Sequence, residues 1–294
     1  MLSVLWSHAR ASRTALALLL LFPAISHAQR PPRAAPTRRE TAEDRTARAF
    51  DAVRESPPEL RAFLDRMPKG ADLHNHLSGA IYAESWIRAA AEDGLCVDPI
   101  ALSFRPAAGP AQTRTESGSP QAPGDTSPPP NCAEHDLPAA RAYADQHLYD
   151  ALIDAFSMRD FIPSAAASGH DHFFDTFGKF GGTSRSHMGE WLDEVATRAA
   201  AQSEQYLELM DTPPFPRTAA LAKQIVWRDD FAQLRAALFA GGLRDDVAVA
   251  RGELDQAESL RRDREHCGQS GEVPACQVQI RYLYQVLRGA PRNT

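Results

Sequence analysis

The sequence predicts an α/β protein built from parallel βα units, the repeating element of a barrel or a doubly wound sheet. Two observations lead there. Three short apolar segments with strand character, Ala71 to Leu77 (ADLHNHL), Gln205 to Met210 (QYLELM) and Gln277 to Tyr284 (QVQIRYLY), stand isolated between segments of helical period. In addition, 43% hydrophobic against 24% charged residues in a chain of 294 gives enough apolar material for a sizeable core, which excludes disorder throughout. The formal charge of −6, from 38 acidic and 32 basic residues, leaves no general footprint for a phosphate backbone, so nucleic acid is not expected as a partner.

Taken in order, the chain opens with Arg10 and Arg13 ahead of the apolar run Thr14 to Ile25, and Ser26-His27-Ala28 places small residues at the −3 and −1 positions of a cleavage site. Residues 1–28 therefore read as a secretory signal peptide. A membrane anchor needs about 18–20 apolar residues, and this run is shorter and interrupted by Pro23. No later segment is apolar over such a length, so the product is expected to be exported, periplasmic or secreted, with no membrane attachment after cleavage. Residues 29–40, Pro-rich and basic without an apolar period, read as a disordered leader.

Residues 41–66 carry two helices. Ala47, Phe50 and Val53 form one stripe, Ser56-Pro57-Pro58 ends that helix and caps the next, and Leu60, Phe63 and Leu64 line the second. Residues 67–294 hold the βα units. Met67-Pro68-Lys69-Gly70 is a turn, the first strand follows and is closed by Ser78-Gly79, and a helix is expected over about Ala80 to Glu92. Arg105 to Asn131 then contains seven Pro and three Gly in 27 residues and is expected to be a disordered surface insertion. Helical pattern resumes over Pro138 to Met158, and the aromatic stretch His170 to Phe180 reads as a loop. Trp191 to Gln202 is an Ala-rich helix before the second strand, and helices at Leu221 to Ala240 and Gly252 to His266 precede the third.

Four cysteines, Cys96, Cys132, Cys267 and Cys276, suit an oxidising compartment. Three pairings can be drawn. Sequence proximity favours Cys96 with Cys132 and Cys267 with Cys276, worth roughly 4 and 3 kcal/mol on the chain-entropy view. No C-x-x-C spacing points to a cysteine metal site.

Chemistry concentrates on His74-Asn75-His76. On a strand, residues two apart point the same way, so both imidazoles share a face and can grip a divalent metal. The preceding turn and following Ser-Gly match a metal site at the carboxyl end of a barrel strand. His170-Asp171-His172 repeats the spacing among Gly, Asp and Phe, where a solvated loop or a lid is expected instead.

Met67 to Glu84 (MPKGADLHNHLSGAIYAE) resembles the first barrel strand of the adenosine deaminase family, in which a Pro-Lys lead-in and H-x-H-L-x-G-A carry two zinc ligands. It is similar in particular to the larger secreted and periplasmic branch that includes adenosine deaminase-related growth factors. Trp191 to Met210 (WLDEVATRAAAQSEQYLELM) and the final QIRYLYQVLRG extend the similarity over most of Met67 to Gly289, apart from the Pro-rich insertion. The resemblance implies a partial TIM barrel, about the first three βα units, with extra N-terminal helices. It also implies Zn2+ held by His74 and His76, with His76, Ser78 and Gly79 as contacts to a small purine nucleoside. The implied reaction is hydrolytic deamination: zinc lowers the pKa of bound water, the hydroxide attacks C6 of adenine, a Glu shuttles protons and ammonia leaves. In that family the third zinc His, the catalytic Glu and the paired aspartates fall on later strands. No catalytic residue is therefore assigned up to Thr294, and the chain reads as the N-terminal part of a longer enzyme, inactive alone.

Three look-alikes are set aside. His187-Met188-Gly189-Glu190 spells H-x-G-E but opens a helix, where a Glu in the first turn is expected from the macrodipole. Asp229-Asp230 is placed on the polar face of a helix and Asp245-Asp246 in a loop after Gly241-Gly242, both as solvated charge. Ser78 stands where many family members carry an acidic ribose contact; its hydroxyl can donate or accept one hydrogen bond without charge. Two other readings stay open: a metal-dependent amidohydrolase acting on a different heterocycle, and a non-catalytic exported binding or growth-factor-like protein. A homodimer is compatible with each.

Overall fold

The computed structural model describes residues 40–108, 131–165, 167–225 and 230–285. Residues 1–28, expected as a signal peptide, residues 29–39 of the expected leader, most of the Pro-rich insertion, Asp229 and Val286 to Gly289 lie outside the described residues. Contacts divide the chain into two units, Met1–Ala52 and Val53–Thr294. The first holds all but the last residue of α1 (Ala42–Val53), which opens on a reciprocal cap. Asp44 N donates to Thr41 Oγ1 (3.1 Å), and the Asp44 carboxylate accepts from Thr41 N (3.0 Å), which holds the carboxyl below its ordinary range. No described helix is long and apolar enough to cross a membrane.

In the second unit, α2 (Pro57–Arg66) starts on two prolines, whose missing N–H groups fall where a helix has no partner for them. The following Lys69 fastens the entry to the sheet. Its ammonium donates to Leu64 O at 2.9 Å and Gln202 O at 2.6 Å, and its N–H donates to Ser203 O. These carbonyls end helices, so the cation also meets their negative dipole ends.

Strands β1 (Gly70–His76), β5 (Glu204–Asp211) and β6 (Gln279–Tyr284) form a parallel sheet in the order β1-β5-β6. The register aligns His76 with Met210 and Met210 with Leu283, so the three carboxyl ends lie side by side. Among the described residues β1 and β6 each pair on one side only, and the sheet does not close into a barrel. The arrangement is mixed α/β, with a parallel three-stranded sheet and helices. Short strands β2 (Cys96–Asp98), β3 (Ser103–Arg105) and β4 (Leu137–Pro138) form a separate antiparallel sheet that the sequence reading missed. They are too short to show a period.

Helix α3 (Leu77–Ala80) is a single turn, followed by α4 (Ala83–Glu92). The expected Ala80 to Glu92 helix is thus split, and Leu77 leaves the strand to be buried in that turn. After α5 (Gln146–Phe156) and α6 (Gly169–Thr176) comes α7 (Met188–Ala201), whose Trp191 meets Trp86 of α4 at 4.6 Å between ring centroids. Phe180 stacks on Trp86 at 4.7 Å. Leu152 of α5, Leu192 of α7, and Leu207, Leu209 and Ile280 of the sheet complete the core. His170 and His172 are corrected from loop to helix: they lie in α6, whose N-cap Ser168 accepts from Asp171 N.

Helices α8 (Pro216–Ala222), α9 (Phe231–Ala240) and α10 (Leu243–Arg264) lead to β6. Two further corrections arise there. Asp230 is the N-cap of α9, accepting from Ala232 N and Gln233 N, rather than part of a polar face. Asp245-Asp246 lies in the first turn of α10, not in a loop, and Asp246 is buried. Burial alone would raise the Asp246 carboxyl, but the Thr218 N–H (2.7 Å) and hydroxyl (2.8 Å) hold it low.

Gly189 lets α7 approach α10: a Cβ there would sit 2.7–2.9 Å from three atoms of Leu260. Gly189→Ala is expected to destabilise by about 1–3 kcal/mol through overpacking, read as a lower urea midpoint.

Candidate functional site

The carboxyl end of β1 is shaped by its own side chains. Asp72 Oδ1 accepts from His74 N at 3.0 Å and Oδ2 from the Asn75 amide at 2.9 Å. This local turn coincides with a bulge: the register passes from Asp72 opposite Leu207 to Asn75 opposite Leu209, one residue extra on β1. The bulge aims the two imidazoles. His74 and His76 come together with ring centroids 5.3 Å apart and planes at 65°.

His76 Nδ1 lies 3.1 Å from Gln285 Oε1, which also accepts from the Thr212 hydroxyl at 3.1 Å. An amide oxygen only accepts, so Nδ1 carries the proton and the lone pair sits on Nε2. That is the tautomer a metal ligand needs, oriented by a neighbour as ligating histidines generally are. The donor set, two imidazoles with one ring held by Gln285, fits a borderline metal such as zinc. Among the described residues, no third His, Cys, Asp or Glu joins this pair in a cluster of ligand atoms. Asp211, at the end of β5, is engaged elsewhere. Arg185 grips it bidentately at 2.8 and 3.2 Å and reaches Glu253 at 3.0 Å.

Ser78 and Gly79 lie in the helical turn α3 and line a cleft of about 290 Å³ together with Tyr82, Met158, Arg159 and Phe177. A Cβ on Gly79 would sit 3.0 Å from Phe177 Cζ, so the missing side chain admits the ring, and the expected role in a turn is replaced by close packing. Arg159 is bound to Glu84 at 2.6 and 3.1 Å, and Arg198 lies over the Tyr82 ring at 4.5 Å. The wall is therefore aromatic with fixed cations at its rim.

Cys96 is bonded to Cys132, and beside that bridge Ala108 N donates to Asn131 O at 2.6 Å, joining the two ends that flank the Pro-rich insertion. Cys267 is bonded to Cys276, closing the loop between α10 and the short 3-10 helix Pro274–Gln277.

A second group of side chains includes His187 and Glu190, whose H-x-G-E spacing the sequence reads only as a helix start. Glu92, His187 and Glu190 bring ligand atoms within 4.8 Å of one another and could hold a metal ion. Glu190 does lie in the first turn of α7, but His187 just before it is 3% exposed and built into a charge cluster. The only signal was the spacing of His187 and Glu190. Their partners on α4 are remote in sequence. Glu265 also lies close to Cys267 and Cys276, but both sulfurs are committed to their disulfide.

No protein-family model, no curated protein and no solved structure matches the chain.

Proposed function

We propose that this chain supplies the first two zinc ligands, His74 and His76, of an exported hydrolase of the adenosine deaminase type, acting on adenosine or deoxyadenosine. The observation that carries the reading is the pair of imidazoles, 5.3 Å apart at the carboxyl end of a parallel strand, with the His76 tautomer set by Gln285. In this reading the three parallel strands are the opening βα units of a TIM barrel. When bound, zinc supplies Lewis acidity that makes water a competent nucleophile near neutral pH.

The chain's own residues position and enclose. Gln285 and Thr212 hold the His76 ring, and the Asp72 turn holds the backbone of His74. Phe177 and Tyr82 offer flat apolar surface to a heterocycle, and the Ser78 hydroxyl offers one uncharged hydrogen bond. That last feature favours a second reading, an amidohydrolase for another heterocycle, because no carboxylate lines the cleft to bind a ribose diol.

The test is ammonia release from adenosine by the protein as its source makes it, chelator-treated and then zinc-loaded. Activity is expected to vanish with chelation, to return with zinc, and to be lost in His76→Ala. Zinc-loaded protein that releases ammonia from other heterocyclic amines and not from adenosine favours the second reading; release from none contradicts both. Gln285→Leu, which removes the orienting acceptor, is expected to weaken zinc binding about 10–100-fold while leaving the fold intact, checked by zinc titration against a colorimetric chelator.

A further inference from the structure

Glu92 and Asp93 sit at the end of α4, where the helix already carries partial negative charge, and their carboxylates add to it. His187 and Glu190, at the start of α7, face them. His187 Nε2 lies 3.1 Å from Asp93 Oδ1, and Asp93 Oδ2 accepts from Ser184 N at 2.6 Å, so Asp93 is held at both oxygens. A carboxylate only accepts when ionised, so the proton of the bond is on Nε2 and the imidazole turns Nδ1 inward.

Nδ1 meets Glu92 Oε2 and Glu190 Oε2, each at 3.7 Å. These separations exceed a hydrogen bond. They are close to the spacing of atoms that share one cation: tetrahedral bonds of about 2.0–2.2 Å place ligand atoms about 3.3–3.6 Å apart. The imidazole is 3% exposed and Glu92 10%, while Glu190 at 27% leaves one side of the group open to water. Arg88 lies 3.6 Å from Glu190 and 3.9 Å from Glu92, and Arg264 lies 3.7 Å from Glu190, so the three ligand atoms, all within 4.8 Å of one another, sit beside two guanidinium groups at ion-pair rather than hydrogen-bonding distances. A carboxylate behind an imidazole whose other nitrogen faces two more carboxylates is the arrangement that orients ligating histidines.

We propose that Glu92, His187 and Glu190 form a divalent-cation site of the zinc type, separate from His74 and His76, that staples the end of α4 to the start of α7, with Asp93 orienting the imidazole. The site is structural. Its three protein ligands come from two helix ends that the packing of Trp86 on Trp191 already brings together, so the cation adds a polar link beside an apolar one. It follows that binding raises the melting temperature, because the folded chain alone assembles the ligands.

The experiment is a titration of zinc alone into the full chain, chelator-stripped and kept free of reductant so that both disulfides persist, followed by calorimetry and by thermal unfolding. The His74→Ala/His76→Ala double variant isolates the proposed site. It is expected to bind one equivalent of zinc with a rise in melting temperature. Adding Glu190→Gln, which keeps shape and removes one anionic ligand, is expected to weaken that binding more than tenfold while the metal-free melting temperature stays measurable. Adding His187→Gln is expected to abolish it. Should His187→Gln fail to fold, the Glu190→Gln comparison carries the test. The proposal is overturned if the double variant binds no zinc, which would leave a proton as the occupant of His187 Nδ1, or if it binds zinc that Glu190→Gln does not weaken.

Discussion

Replacing Arg261 by alanine is expected to cost about 3–5 kcal/mol of folding stability, the largest effect anticipated for a single side chain. Arg261 and Glu265 are 4% and 0% exposed, with Arg261 Nη1 donating to both carboxylate oxygens at 2.7 and 3.0 Å one turn apart on and just beyond α10. Arg261 Nε also donates to Glu258 at 2.9 Å, and Glu258 accepts from the Tyr282 hydroxyl of β6. Burial already pushes the Glu265 carboxyl up, and the Arg261 charge opposes it. Without Arg261, burial and the negative charge of Asp193 and Glu258 remain, and all of them raise it. The folded variant then holds a proton that the unfolded chain releases. Its deficit should be smallest in acid and grow as pH rises above the value, already raised by burial, at which the wild-type carboxyl ionises. Removing both charges, as Arg261→Met with Glu265→Leu, is expected to recover much of the loss, because apolar residues of similar volume replace buried pairs at little cost. Urea unfolding across pH, with the disulfides intact, reads both results.

The second large effect is pH dependence arising at His187. Burial alone would lower its imidazolium, but the hydrogen bond to Asp93 and the negative charge of Asp93 and Glu190 more than offset this and raise the pKa from 6.5 to about 9. In protein stripped of divalent cations the folded state therefore holds a proton that the unfolded state has released between those values. The contribution is full below pH 6.5 and is lost as pH rises through about 9. A decline of about 1–2 kcal/mol is expected once screening from the open Glu190 side is allowed for. His187→Gln should flatten that decline. Excess zinc should flatten it as well if the cation takes the place of the proton. Urea midpoints measured with and without chelator check the sign and the competition.

How much of this was legible in the sequence differs from element to element. The three parallel strands were readable because β-rich apolar runs stood alone between helical segments, and the observed sheet uses nearly the same residues. The pairing of His74 with His76 on one face was readable from period two. The bulge that aims them was not, because it depends on the Asp72 carboxylate and on the register against β5. The antiparallel strands are two or three residues long and carry no period. His170 and His172 were misplaced because Gly, Asp and Phe suggest a loop, whereas Ser168 caps a helix there. Asp246 was taken as solvated charge. Its burial depends on Thr218 of α8, nearly thirty positions away and invisible to local pattern. Glu92, Asp93, His187 and Glu190 show the same limit: the H-x-G-E spacing reads as a helix start, and its two carboxylate neighbours at the end of α4 are remote in sequence.

A metal held jointly by His74 and His76, as proposed, would sit at the carboxyl end of β1. Anomalous X-ray scattering at the zinc edge, on crystals of zinc-loaded protein in the form its source makes, locates the ion directly. The account predicts a peak between the two imidazoles, with the His76 ring still bound to Gln285. Zinc-loaded crystals with both rings ordered and no peak between them would contradict it.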